Sequence, residues 1–373
     1  MLGYKKYISE IKPVDTESEK MARKRFDMLA KPPGSLGGLE DISAKLSSVT
    51  GEIFNTLEKR QILVFASDNG VYEEGVASAP QSVTLAQSIN MLKGITGVCV
   101  LAKQAKSSVT VIDVGINSEY RNPKLIDRKI RKSTSNIANG SAMSYEEAQR
   151  AVEIGIEAVK TAYENGCDLL GVGEMGIGNT TTSSAVLASL LGLNGDEVEN
   201  LVGKGAGLTQ EAFRKKIDVI KNSIEINKPQ KDNPIDVLSK VGGFDIAAMC
   251  GAYIGAAYYR IPVVIDGFIS IVAALCAARL NPLTADYMFA SHYSFERGYK
   301  LALDELKLKA YLHLNMRLGE GSGCPLMFQL MDSACAMMRN MATFDEALID
   351  TEYLNSISKS DFLISITANW EST

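Results

Sequence analysis

The chain has 373 residues and a mass of 40.3 kDa, enough for one large α/β domain or one with a smaller companion. Its 46% hydrophobic and 22% charged residues are ordinary for a globular protein, and a net charge of -5 gives no bias toward nucleic acid. Six cysteines without a C-x-x-C pair read as buried free thiols in a reducing compartment, and two histidines are too few for a typical zinc site. The N-terminus lacks a signal-type apolar core. The apolar stretch Ile246 to Tyr259 is too short to span a bilayer, so a cytoplasmic protein is expected.

Taken in chain order, Glu17 to Met28 predicts a charged helix. Gln61 to Ser67 predicts a strand ending at Asp68-Asn69-Gly70, and Ser108 to Val114 a second ending at Gly115. Ser144 and Glu147 form a capping box that opens a helix to about Asn165. Leu169 to Val172 predicts a strand, Ser183 to Leu191 a helix, and Thr209 to Ile226 an amphipathic helix. Ile261 to Ile265 predicts a strand ending at Asp266-Gly267, and Cys324 to Asn340 a Met- and Ala-rich amphipathic segment. Unalternating β-branched runs indicate strands buried on both faces, hence an α/β fold with a parallel sheet flanked by helices. Such sheets bind ligands at the carboxyl ends of their strands.

The segment Gly171 to Thr182, between a strand and a helix, is the most informative. Its glycines, among them Gly176 and Gly178, allow close backbone approach, and the helix start near Asn179 and Thr180 offers unpaired N–H donors to an anion. No Lys follows as in a P-loop, and the dinucleotide G-x-G-x-x-G spacing is absent. Glu174 inside this cradle either faces a sugar or reacting group, or caps the helix. The loop Arg317 to Gly323 carries a lone carboxylate, Glu320, which reads as a general base or as a surface residue capping the next helix. Together the two glutamates suggest acid/base chemistry at a sugar carbon, which glycosidases share. Lys216 reads as a phosphate ligand or a solvated basic turn, Ser294 as a phosphate ligand or helix cap, and His292 as structural. The strand-end carboxylates Asp68, Asp113 and Asp266 more often bind backbone N–H groups than ligand. The paired acidic signature that holds magnesium pyrophosphate is missing, so a ribose transferred here would leave a group such as a cationic pyridine ring.

Read together, these segments resemble the nicotinate-nucleotide:dimethylbenzimidazole phosphoribosyltransferase family of cobamide (vitamin B12) assembly. The resemblance rests on Lys31 to Gly37, Asp68-Asn69-Gly70-Val71, Pro80 to Gln87, Asn136-Ile137-Ala138, Gly173 to Thr181, Val241 to Asp245, Asp266-Gly267-Phe268, Ser291-His292 and Arg317 to Gly323, in family order. It implies a Rossmann-like large domain, residues 30–320, and a small helical domain from residues 1–29 and 321–373. It implies phosphoribose transfer from nicotinate mononucleotide, a substrate rather than a cofactor, to an aromatic base, with inversion to an α-riboside phosphate. No metal and no further cofactor are implied. By position Glu320 matches the family's base and Glu174 its second site carboxylate. Gly176, Gly178, Asn179, Thr180, Gly205, Lys216 and Ser294 match the surroundings of the nucleotide phosphate, and Ala79, Gln87, Met175 and Leu318 the acceptor pocket.

Two positions depart from the family pattern. Asn69 stands where a histidine is usual, and Ala79 where a hydroxyl or larger side chain is frequent. Both are expected near the acceptor, so a phenolic such as phenol or p-cresol would be tolerated, as in a phenol-activating branch of the family that uses two paralogous subunits. A dimer of identical or paralogous chains is implied. The competing readings are a non-catalytic partner subunit, against which both retained glutamates argue, and a hydrolase in which water replaces the acceptor.

Overall fold

A computed structural model describes residues 3–203 and 207–352. The chain runs through α1 (Tyr4–Glu10), α2 (Thr16–Met28), α3 (Gly38–Thr50), β1 (Arg60–Ser67), α4 (Ser82–Leu92), α5 (Gly97–Gln104), β2 (Ser107–Gly115) and β3 (Ile126–Asp127). It continues through α6 (Tyr145–Glu164), β4 (Leu169–Met175), α7 (Asn179–Leu191), α8 (Gln210–Asn227), α9 (Pro234–Val241), α10 (Phe244–Tyr258) and β5 (Val263–Ile265). The last elements are α11 (Phe268–Leu280), β6 (Met288–Ala290), α12 (Gly298–Glu305) and α13 (Gly323–Asn340).

The six strands form one sheet in the order β3-β2-β1-β4-β5-β6, with every neighbouring pair parallel. The α/β class and parallel sheet expected from the β-branched runs are therefore present. β1 has β2 on one side and β4 on the other, so connections leave it in both directions. This reversal opens a crevice at the carboxyl ends of β1 and β4, where open parallel sheets hold ligands.

Every residue of β4 is buried, as are residues 62–67 of β1. α10 and α11 are apolar almost all round and nearly wholly buried, as core helices of a large sheet protein are. α6 is amphipathic, and its capping box is formed in both directions: the Glu147 N–H donates to Ser144 Oγ at 3.1 Å and the Ser144 N–H to Glu147 Oε2 at 2.8 Å.

Two local expectations are corrected. β4 runs on to Met175, so Glu174 lies on the strand, and α7 begins at Asn179 rather than Ser183. Residues 179–182 precede the expected helix, yet burial of α7 makes them its first turn. The short strands β3 and β6 carry too little pattern to be read in sequence.

Contacts divide the chain into two compact units. Among the described residues, one holds residues 3–13 and Glu58–Phe328; the other holds Val14–Leu57 and residues 329–352. These boundaries differ from the expected 30–320 and its helical remainder. α1 belongs with the sheet, since Asn281 Nδ2 donates to Ile8 O at 2.8 Å and the Tyr287 hydroxyl to Lys12 O at 2.8 Å. In the second unit, Ala22, Phe26 and Leu29 pack with Ala44 and Met338 into a separate apolar cluster. The stretch Ser82–Gln104 is long and apolar enough to cross a membrane. It is broken at Gly94 (φ +76°) into α4 and α5, and α4 points Gln87 into a polar cavity.

Candidate active site

A cavity of about 390 Å³ lies within the sheet unit, lined by the chain just beyond β4 and β5, by α4 and α8, and by the loop before α13. Glu174, Glu320, Gly176, Gly178, Asn179, Thr180, Lys216, Ser294, Ala79, Gln87, Met175 and Leu318 all line it. Gly205 lies outside the described residues. Residues separated by more than 200 positions in sequence thus meet in one crevice.

The departure at Asn69 falls elsewhere. Asn69 is fully buried beneath the cradle, where its Oδ1 accepts from Thr182 Oγ1 at 3.4 Å, and it does not line the cavity. Its expected place beside the acceptor is corrected, because it faces the base of α7 and Asp245 rather than the opening. Ala79 does line the cavity.

The glycine-rich turn is shaped by close approach. A Cβ at Gly176 would lie 2.4 Å from Ser67 O and 2.7 Å from Asp245 Oδ2, so only glycine fits. Gly178 (φ +96°) precedes α7, and no side chain caps the helix; the Asn179, Thr181 and Thr182 N–H groups bond to the carbonyls of Gly176 and Gly178, while Thr180 lies at the cavity. Glu174 is therefore not a helix cap.

Lys216 reaches the same turn from α8. Its Nζ donates to Thr180 Oγ1 at 3.0 Å and to Gly203 O at 3.2 Å, and the side chain is fully buried. Burial lowers its pKa to about 8, opposed by Glu296. The solvated reading of this lysine fails because Phe213, Lys216, Ile217 and Ile220 share one helical face, the buried one. An ammonium beside an uncapped helix start can hold an anion. Ser294, only 3% exposed, lines the same cavity with its Oγ accepting weakly from the Glu296 N–H at 3.5 Å.

Three carboxyl groups lie under the cavity. Asn179 Nδ2 donates to both Glu174 Oε2 and Asp245 Oδ2, so a single amide bridges two buried acids. Burial and then the charge of Asp245 push Glu174 up to about 8. Burial pushes Asp245 to about 6 and Asp266 to about 7. His292 also lines the cavity, and burial lowers it to about 4, which keeps the imidazole neutral at physiological pH.

Glu320 is 5% exposed and takes a left-handed backbone (φ +65°), so it is no surface residue. Gln87 Nε2 donates to its Oε1 at 2.6 Å, while its Oε2 is buried without a partner. A carboxylate held by one oxygen and unsatisfied at the other is arranged to receive a proton.

Sequence reasoning missed Asp245 and Glu296, and left Asp266 as a strand-end residue. Asp245 reads as an ordinary acid in the first turn of a helix, and no local spacing links it to Glu174. For Asp266, the signal was its place at the carboxyl end of a buried strand.

Residues 11–349 match a family model described as Phosphoribosyltransferase. The nicotinate-nucleotide–dimethylbenzimidazole phosphoribosyltransferase of Clostridium perfringens (strain ATCC 13124) is 54% identical over 354 residues, 95% of this chain and 97% of that protein. The enzyme of the same name from Ruminiclostridium cellulolyticum is 49% identical, over 94% of this chain and 98% of its own. The crystal structure of the enzyme of that name from Thermus thermophilus matches with a TM-score of 0.85 and 38% identity, covering 90% of this chain and 99% of that one.

Proposed function

Because the chain belongs to this phosphoribosyltransferase family, we propose that it moves phosphoribose from nicotinate mononucleotide to an aromatic base of the dimethylbenzimidazole type, giving an α-riboside phosphate for cobamide synthesis. One observation carries the reading. A single cavity holds both an anion subsite, at Lys216 and the start of α7, and an unpartnered carboxylate oxygen, at Glu320.

The phosphate is held by Lys216, Thr180 and Ser294 at the start of α7, and this fixes the ribose. The glycosidic nitrogen of the nicotinate ring is cationic, so the C1′–N bond breaks with its electron pair going to that nitrogen, and nicotinate leaves with its ring nitrogen neutral. The acceptor nitrogen bonds to C1′ from the opposite face, which inverts the centre. Glu320 Oε2 takes the N–H proton that the incoming base loses. Positive charge that develops on the ribose is stabilised electrostatically by Glu174 in the fraction of molecules in which it is ionised.

Two finer points belong to the same proposal. A methyl group at Ala79 offers no hydrogen-bond donor to an acceptor's second ring nitrogen, which supports tolerance of phenols. Dimer assembly is supported by the exposed Ile95, Val100 and Leu318, the last of which lies against Gly97.

The test is incubation with nicotinate mononucleotide and either dimethylbenzimidazole or phenol. The benzimidazole riboside phosphate should form with stoichiometric nicotinate, and Glu320→Gln should slow it by about 10²-fold or more. Nicotinate release without acceptor would point to a hydrolase, failure of the chain alone to form any riboside to a non-catalytic subunit, and an unaffected E320Q variant to a base other than Glu320. Absence of the phenyl riboside would remove the phenolic extension alone.

A further inference from the structure

The loop that carries Glu320 has an improbable backbone. Gly319 (φ +84°), Glu320 (φ +65°) and Gly321 (φ +86°) are three left-handed residues in a row. A segment of this kind holds its shape only where its surroundings over-determine it. The loop also rests on the sheet itself, since a Cβ at Gly173 of β4 would lie 2.4 Å from Gly321 N.

Buried carboxylates meet the loop. Glu174 Oε1 lies against the same turn, 2.6 Å from where a Cβ at Gly319 would sit. The Gly321 N–H donates to Asp266 Oδ2 at 3.0 Å, and the Gly323 N–H to Asp266 Oδ1 at 2.7 Å. Asp266 is 1% exposed and follows β5, a strand buried along its whole length. Both of its oxygens are therefore committed to the loop, one to the residue directly after Glu320.

We propose that Asp266 is a positioning residue for the reaction: its carboxylate clamps the amides of Gly321 and Gly323, and so fixes where Glu320 presents its unpartnered oxygen. Glu174 packs against the same turn at Gly319. Asp266 needs no contact with the reacting atoms. Exchange of one oxygen for an NH2 group would set a donor against a donor and release one side of the loop.

This inference rests on the proposed transfer, with Glu320 as base. The experiment is a double-mutant cycle of Asp266→Asn and Glu320→Gln, with transfer to dimethylbenzimidazole as the readout and calorimetric binding of nicotinate mononucleotide as the control. D266N should lower kcat by about a hundredfold, the cost of misplacing a reacting group by about 1 Å, and leave nucleotide binding within twofold of wild type. The double variant should be no slower than E320Q alone, because a misplaced base that has already been removed costs nothing more. A melting scan checks that D266N folds. If it does not, Gly321→Ala replaces it, since a side chain at φ +86° is strained and displaces the amide that Asp266 Oδ2 holds.

A D266N variant with wild-type kcat would overturn the inference, as would losses that multiply in the double variant or a parallel loss of nucleotide binding. If wild type itself forms no riboside, the proposed transfer fails, and the clamp's catalytic role with it. If wild type and E320Q behave as proposed while D266N stays fast, the clamp alone fails.

Discussion

The Gln87 side-chain amide donates a 2.6 Å hydrogen bond to Oε1 of Glu320, joining α4 to a loop 233 residues away. Asn90, one turn further along α4, donates from Nδ2 to Gln87 Oε1 at 3.3 Å, and this decides which end of the amide faces the carboxylate. The bond restrains Glu320 and leaves Oε2 as its free acceptor.

Gln87→Leu keeps most of the bulk and removes the donor. We expect kcat to fall about tenfold, the scale of one lost charge-assisted hydrogen bond, with little change in the KM for nucleotide. Steady-state rates over a nucleotide titration check this, and a rise in KM without loss of kcat would contradict it.

Lys216→Met should act at the other substrate term. Loss of the buried ammonium removes the only lysine lining the cavity among the described residues, so the KM for nucleotide should rise by about 10²-fold. Folding should survive, because burial already disfavours the charged form and lowers its pKa to about 8. Kinetics and a melting curve on one preparation separate the two effects.

Gly176→Ala has no room for its methyl group, with Ser67 O 2.4 Å and Asp245 Oδ2 2.7 Å from the new atom. Overpacking of this kind costs about 1–3 kcal/mol. Urea unfolding should report a loss in that range, and nucleotide binding should weaken with it because the turn itself must shift.

Stability should fall as pH rises from 6.5 to 8. Glu174, Asp245 and Asp266 are raised to about 8, about 6 and about 7, so the folded protein binds more protons than the unfolded chain and ΔG declines with pH. His292, lowered from 6.5 to about 4, opposes that slope only below pH 6.5. Lys216, lowered to about 8, adds stability only above that value. Urea midpoints at the two pH values measure the change, and Glu174→Gln should remove most of it. A midpoint that rises with pH in the wild-type protein would refute the assignment.

Much of the site was legible because its pieces are local words. Gly171 to Thr182 and Arg317 to Gly323 announce themselves by glycines around a single carboxylate, and both line the cavity. Lys216 was legible as a cation but not as a buried one, since its neighbours Arg214 and Lys215 are exposed and suggest a wet turn. Asn69 misled in the opposite direction. Its neighbours Asp68 and Gly70 sit at a strand end, yet its own side chain turns under α7.

What the amino-acid sequence determined by itself was the repertoire: buried parallel strands, an anion-binding turn, a lone glutamate in a glycine loop. Each follows from short-range chemistry, namely β-branched runs, glycine's backbone freedom and unpaired helix-start amides. Only the tertiary structure decided the pairings, which include Gln87 with Glu320, Asn179 between Glu174 and Asp245, and Asp266 with the amides of Gly321 and Gly323. Those bonds span between 5 and 233 positions of sequence. They form because the sheet reverses its strand order at β1, which brings the carboxyl ends of separate strands to one crevice where buried polar groups find partners far apart in sequence.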